Sequence, residues 1–446
     1  ADDGEAGLLQ LEVLEDLLEA KYQGDNNETN NEAFLTLVDC YGGERDDAGL
    51  IELILNLYRF ARSTPWPKQW LQQAADQLAM AEQGTLDDFA WCAKLKQNIA
   101  LHLTGCRQSL AQAIDLCARP QAPLAYLDNL YADLDLVQGL LTACSGTWEK
   151  LSQRFQGVQF GRLKPIRKKD AIDPVIQEQV KNLRDKVKNQ IVSLQKTYFT
   201  QSPAEQLNDL QQVAPLMRTL VQLVLEFGEN FRQAKNKRGI VDFNDLEHYC
   251  LQILLQEGAS PGELKPSPVA EELQARFVEI LVDEYQDINA VQEAILQLVS
   301  RQRSPQPNLF MVGDVKQSIY RFRLADPGLF LTKYQQFSVE QGQRERRINL
   351  RENFRSSQAI VDGVNFFFRQ IMTPEVGELA YDQAAELVCG LAVPPVPAGG
   401  TSLSPVVDVF LIEREDDNLA NVPEIKEVGK SLEALKPGEF GEDKGS

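Results

Sequence analysis

Two short apolar runs, each opening directly into a polar loop, restrict what this chain can fold into more than any other feature. Phe277-Val278-Glu279-Ile280-Leu281-Val282 ends in Asp283-Glu284-Tyr285-Gln286-Asp287. Leu309-Phe310-Met311-Val312 opens into Gly313-Asp314-Val315-Lys316-Gln317-Ser318-Ile319-Tyr320-Arg321-Phe322-Arg323. Between them Val291, Ala294, Ile295, Leu298 and Val299 recur at helical spacing, so the order is strand, helix, strand. A third strand-like stretch, Ile348-Asn349-Leu350, leads into Arg351-Glu352-Asn353-Phe354-Arg355-Ser356. An α/β arrangement is expected from about Ile240 onward, with polar side chains delivered where strands end.

The segments DEYQD, GDVKQSIYRFR and LRENFRS, in this order and at these spacings, resemble motifs II, III and IV of UvrD-type superfamily 1 helicases. The fuller string GDVKQSIYRFRLADP, with Leu324-Ala325-Asp326-Pro327, is closer to the AddA family of helicase-nucleases. Tyr41-Gly42-Gly43-Glu44-Arg45-Asp46-Asp47 and Pro65-Trp66-Pro67-Lys68-Gln69-Trp70-Leu71 look like the same family, so the resemblance covers nearly all of the chain. It implies an ATP-dependent, magnesium-requiring DNA helicase. It further implies a heterodimer with an AddB-like partner, and a role in processing double-strand DNA ends for recombinational repair. Two other readings are a stand-alone UvrD- or RecB-type helicase and a helicase-like scaffold without catalysis.

Magnesium takes oxygen ligands and keeps several waters, so one carboxylate at a strand end plus nucleotide phosphates suffices, and Asp283 fits that part. The resemblance makes Glu284 the group that orients and deprotonates the attacking water. Gln317 offers an amide able to touch both the γ-phosphate and that water. Tyr320 and Phe322 carry flat faces on which DNA bases can stack, and Arg323 adds a cationic contact. Phe354 resembles the family's adenine-stacking aromatic, with phenylalanine in place of the usual tyrosine. Arg355 resembles its arginine finger, whose planar fork suits phosphate. The plainer alternatives are that Asp283 and Glu284 cap the next helix, and that Tyr320 and Phe322 are core aromatics. Asp242-Phe243-x-Asp245-Leu246 also matches the family, yet a capping box with an apolar anchor explains it without function.

Upstream the pattern is helical. Leu8, Leu9, Leu11, Leu14, Leu17 and Leu18 form an apolar stripe; Asp173-Pro174 starts a helix toward Tyr198, and Ser202-Pro203-Ala204-Glu205 is a capping box. Another helix is expected from about Pro215 to Arg238, ending at Gly239. The fold class is therefore α/β: part of a RecA-like, P-loop NTPase-type parallel sheet, with a large all-helical insertion and the start of a second RecA-like domain. The expected divisions are 1–235 for the insertion, 236–343 for the second half of the first RecA-like domain, and 344–446 for the start of the second. The last would include the alternating strand 406–411 and a poorly ordered tail.

Composition constrains partners. A formal charge of −20 gives no support to nucleic-acid binding, so any DNA grip must be local, with candidates at Arg162 to Lys169, Lys235 to Arg238 and Arg344 to Arg347. No apolar run reaches the roughly 18–20 residues that span a bilayer, and a cytoplasmic protein with no membrane partner is expected. The seven cysteines form no Cys-x-x-Cys pair and read as buried free thiols. No Gly-x-x-x-x-Gly-Lys-Ser/Thr occurs in the 446 residues. The chain therefore reads as the central piece of a longer protein, without the phosphate-cradling loop, and is expected to be inactive alone. A nuclease domain is expected to follow it.

Overall fold

The computed structural model describes residues 3–391 and 407, apart from 25–27, 44–45, 81–83, 168–171 and 303. The expected strand at 406–411, the proline-rich stretch after Ala392 and the tail thus lie outside the described residues, Val407 excepted. So do Lys168 and Lys169 of the first basic cluster.

Helices dominate. Two apolar cores organise the first half. One is built from α5 (Ala90–Cys117), α6 (Leu127–Cys144), α7 (Trp148–Gln156) and α8 (Pro174–Tyr198), around Ile99, Leu103, Leu110, Val137, Phe155 and Ile191. Phe155 stacks on Phe199 with ring centroids 4.3 Å apart. The other joins α1 (Asp3–Tyr22), α2 (Glu28–Tyr41), α3 (Ala48–Arg62) and α4 (Pro67–Ala79) to the later turns of α9 (Pro203–Arg238), with Tyr58 edge-on to Phe227. In α1 the buried positions are Leu9, Val13, Leu14, Leu17 and Leu18, whereas Leu8 and Leu11 of the expected stripe are exposed.

Helix starts follow their capping chemistry. Asp173 accepts from Val175 N at 2.8 Å, with Pro174 at the first helical position. Ser202 and Glu205 close the expected capping box of α9, and Gly239 ends that helix in the left-handed conformation at φ 66°. The separate helix expected from Pro215 is instead the continuation of α9, with the proline inside it. An interior proline costs about 3 kcal/mol. Leu207 and Leu210 pack on the first core while Leu220, Val224, Phe227 and Phe231 are buried in the second, and that burial carries the helix through the interruption.

After Gly239 come α10 (Phe243–Leu254), α11 (Pro268–Arg276), β1 (Ile280–Val282), α12 (Ala290–Val299), β2 (Leu309–Met311) and α13 (Pro327–Gln336). β1 and β2 pair in parallel, Ile280 with Leu309 and Val282 with Met311, as a strand–helix–strand unit should. Val291, Ala294 and Leu298 of α12 are buried against Leu251, Leu254 and Ala270. The expected strand at Ile348-Asn349-Leu350 does not form; Ile348 and Leu350 are exposed, and extended pairing begins two residues later. There β3 (Glu352–Asn353) pairs in parallel with β4 (Val388–Cys389), flanking α14 (Gln358–Ile371) and the short α15 (Pro374–Gly377).

Two compact units result: residues 1–349 with 371–381, and residues 350–370 with 382 onward. Among the cysteines, Cys92, Cys106 and Cys117 are buried, but Cys40 and Cys250 are exposed, against expectation. Among the described residues no helix is long and apolar enough to cross a membrane.

Candidate active site

The carboxyl ends of β1 and β2 carry the site. Past the last paired residues the strands stay linked, Val312 N donating to Val282 O at 2.8 Å and Tyr285 N to Val312 O at 2.9 Å. The two loops are then joined by Gln286, which is buried: its Oε1 accepts from Asp314 N at 2.9 Å, while its Nε2 donates to Glu284 Oε2 at 2.6 Å and Asp287 Oδ2 at 3.2 Å. Gly313 makes room for this staple. A Cβ there would stand 2.4 Å from Gln286 Oε1 and 3.1 Å from Tyr285 N, so no other residue fits without moving the loop. Sequence reasoning missed Gln286; an amide between acids at a strand end, followed by a glycine at the neighbouring strand end, was the available signal.

Asp283 and Glu284 are both exposed at this end. Asp283 Oδ1 accepts from Glu284 N at 2.9 Å. Glu284 itself sits at φ 49°, ψ 42°, a left-handed conformation that is uncommon for a non-glycine residue and stores strain where it occurs. Neither acid caps α12. That duty falls to Asn289, whose Oδ1 accepts from Gln292 N at 2.9 Å within a reciprocal capping box, so the plainer reading of the acid pair does not apply. Close by, Asp287 Oδ1 is buried without a hydrogen-bond partner. Hard carboxylate oxygens, two of them exposed side by side, fit the donor chemistry a magnesium ion requires.

On the second loop, Asp314 organises a tight turn by accepting from Lys316 N at 3.1 Å. Its side chain also pairs with Lys316 Nζ at 2.8 Å and accepts from Gln317 Nε2 at 3.0 Å, leaving the Gln317 amide exposed. The next turn, Tyr320–Arg323, presents aromatic faces to solvent: Phe322 is 74% exposed and Tyr320 37%. Their centroids lie 5.9 Å apart, and the Arg323 guanidinium sits 5.2 Å and 5.5 Å from the two rings. Core packing does not describe these rings.

Phe354 and Arg355 belong to the second unit. Asn353 Oδ1 accepts from Arg355 N at 3.0 Å and Ser356 N at 2.8 Å, which shapes the turn. The Phe354 ring is exposed on one side and lies over Gly390 on the other, where a Cβ would come within 2.5 Å of it. Asp283, Glu284, Gln317, Tyr320, Phe322 and Arg323 are thus gathered on the first unit.

Of the basic clusters, Lys235 is buried rather than displayed, its Nζ 2.7 Å from Asp242 Oδ2 and also paired with Asp245. Arg62 reaches Asp245 at 3.1 Å, and His248 Nε2 lies 2.9 Å from Arg62 O. Burial, then the Arg62 charge, push the His248 pKa down to about 4.

Residues 124–338 match the family model of the UvrD/REP helicase N-terminal domain. The chain is 49% identical over 417 residues to the AddA subunit of the ATP-dependent helicase/nuclease of Pelotomaculum thermopropionicum, covering 93% of this chain and 32% of that protein. It is 42% identical to the corresponding protein of Heliobacterium modesticaldum, covering 94% of this chain and 32% of that protein. With its counterpart from Moorella thermoacetica the figures are 46% identity, 92% of this chain and 29% of that protein. The chain spans about a third of the length of the curated relatives it matches.

Proposed function

We propose, for a chain homologous to the AddA proteins of ATP-dependent helicase/nucleases and carrying a UvrD/REP helicase N-terminal domain, that it forms the central part of an ATP-driven DNA-unwinding motor. One observation carries the reading: the loops after β1 and β2 are stapled together by Gln286, with exposed carboxylates on one and an exposed amide and aromatic pair on the other. In parallel sheets, ligands are held outside the carboxyl ends of the strands, which is where these groups stand.

Asp283 would hold a magnesium ion, which when bound neutralises phosphate charge. Glu284 is the base toward water: its carboxylate is exposed, and Gln286 Nε2 fixes its orientation at 2.6 Å. Gln317 reports the phosphate end of the nucleotide through its amide. Tyr320, Phe322 and Arg323 offer a stacking platform for single-stranded DNA. Phe354 and Arg355 are assigned to adenine and phosphate by the likeness of their motif. The proposal extends to duplex DNA ends as substrate, a partner of the AddB type, and recombinational repair as the setting.

The 446-residue chain alone, which contains no Gly-x-x-x-x-Gly-Lys-Ser/Thr, is proposed not to turn over ATP. The test is ATP hydrolysis and unwinding of a blunt duplex by the complete protein with its partner, in wild type and in Arg355→Ala. Magnesium-dependent hydrolysis that falls at least tenfold in the variant is expected. Full hydrolysis in the variant, or none in the wild type, would overturn the reading.

A further inference from the structure

Glu293 is a charged residue in a place where an apolar one would pack. Its side chain is 6% exposed, and taking a carboxylate out of water costs several kcal/mol unless partners compensate. Three donors do. Tyr285 Oη donates to Oε2 at 2.6 Å, while Lys333 Nζ at 2.9 Å and Gln297 Nε2 at 2.8 Å meet Oε1.

Each of the first two partners leads to a different loop. Tyr285 is buried and is joined by one peptide bond to Glu284, the residue in strained left-handed backbone. Lys333 lies on α13, which continues from the Tyr320–Arg323 turn. The link between turn and helix is taut: Leu324 takes φ 67°, Ala325 N bonds back to Tyr320 O at 3.3 Å, and Asp326 caps α13 through Gly328 N at 2.9 Å. Asp326 N also donates to Ile288 O at 2.9 Å, on the loop that carries the acids. A displacement of the aromatic turn therefore moves α13, and α13 holds Glu293.

We infer that Glu293 is a positioning residue that couples occupancy of the Tyr320–Phe322 platform to the placement of Glu284, through Lys333 on one side and Tyr285 on the other. The inference rests on the functional reading above. The network explains why a tyrosine hydroxyl and a buried ion pair stand behind a loop that itself faces solvent. Burial and the bond to Glu293 hold the Tyr285 phenol well above its ordinary pKa, so it stays a donor at every working pH.

The test uses the complete protein and measures ATP hydrolysis with and without single-stranded oligonucleotide in Tyr285→Phe, Glu293→Gln and Lys333→Met. Tyr285→Phe removes one hydrogen bond and leaves the Glu293–Lys333 pair, so it guards against a variant that fails to fold. Expected is a loss of about tenfold in DNA-stimulated kcat, with the DNA-free rate and the KM for ATP unchanged, and with the double variant Tyr285→Phe/Glu293→Gln no worse than the single ones. Stimulation retained in Tyr285→Phe, or an equal loss with and without DNA, would overturn the inference. A second readout needs no hydrolysis: in the 446-residue chain, oligonucleotide binding should slow amide exchange at residues 285–287, and Tyr285→Phe should abolish that slowing. Exchange indifferent to oligonucleotide in the wild type overturns the inference too. Slowed exchange in a protein whose complete form lacks ATPase would count against the functional reading and leave this one standing.

Discussion

The start of α10 and the end of β1 each present a pair of acids, and the pairs have opposite surroundings. Asp242 and Asp245 are enclosed with Lys235 and Arg62, and each also serves the reciprocal capping box of α10. Burial pushes the Asp242 carboxyl up, but Lys235 and the Asp245 N–H outweigh it and the net shift is downward. Asp283 and Glu284 face solvent, with one backbone N–H and one amide between them. Saturated acids fix a structure; acids with spare lone pairs can take a metal or a proton. Composition and spacing alone do not tell the pairs apart, since both combine acids with an aromatic and sit at an element boundary.

Exchanging one residue in each pair should separate the two roles. The largest expected effect is on rate: Glu284→Gln in the complete protein should lower ATP hydrolysis about 10²–10⁴-fold while nucleotide binding, read by fluorescent-analogue titration, stays intact. Unchanged turnover would remove Glu284 from its proposed part. Next comes Lys235→Ala, which strands two buried carboxylates and should cost about 3–5 kcal/mol in urea unfolding of the first unit. The same measurement on Glu284→Gln should move by far less, and an equal loss in both would erase the contrast.

A smaller effect is expected from Phe322→Ala. Single-strand affinity should weaken by about 1–3 kcal/mol with the thermal midpoint unchanged, because the ring is exposed; a drop in midpoint would return it to the core. Smallest is a pH effect at His248. Its folded pKa of about 4 lies below the ordinary value of 6.5, so between these values the unfolded chain binds more protons and stability falls as pH falls. Going from pH 7 to pH 5 should cost on the order of 1–2 kcal/mol through this group. His248→Gln should flatten that part of the profile, and an unaltered slope would refute the assignment.

Much of the local structure was legible from the chain. Asp173-Pro174, the Ser202 to Glu205 box and Gly239 mark helix ends because capping depends on neighbours within three or four residues. The parallel pairing of β1 and β2 follows from strand, helix and strand in close succession. Pro215 was misleading because the burial that outweighs it comes from helices far away in sequence. Ile348-Asn349-Leu350 misled in the other direction, since an apolar triplet does not name a strand partner.

By itself, then, the sequence determined which groups stand at the strand ends and where most helices begin and stop, because those outcomes rest on short-range chemistry. Only the tertiary structure decided that Gln286 joins the two loops, that Lys235 is interior, and that Glu293 sits behind Tyr285 with Lys333. Each of those contacts depends on burial and on the convergence of separate elements, and neither is written in any one stretch of residues.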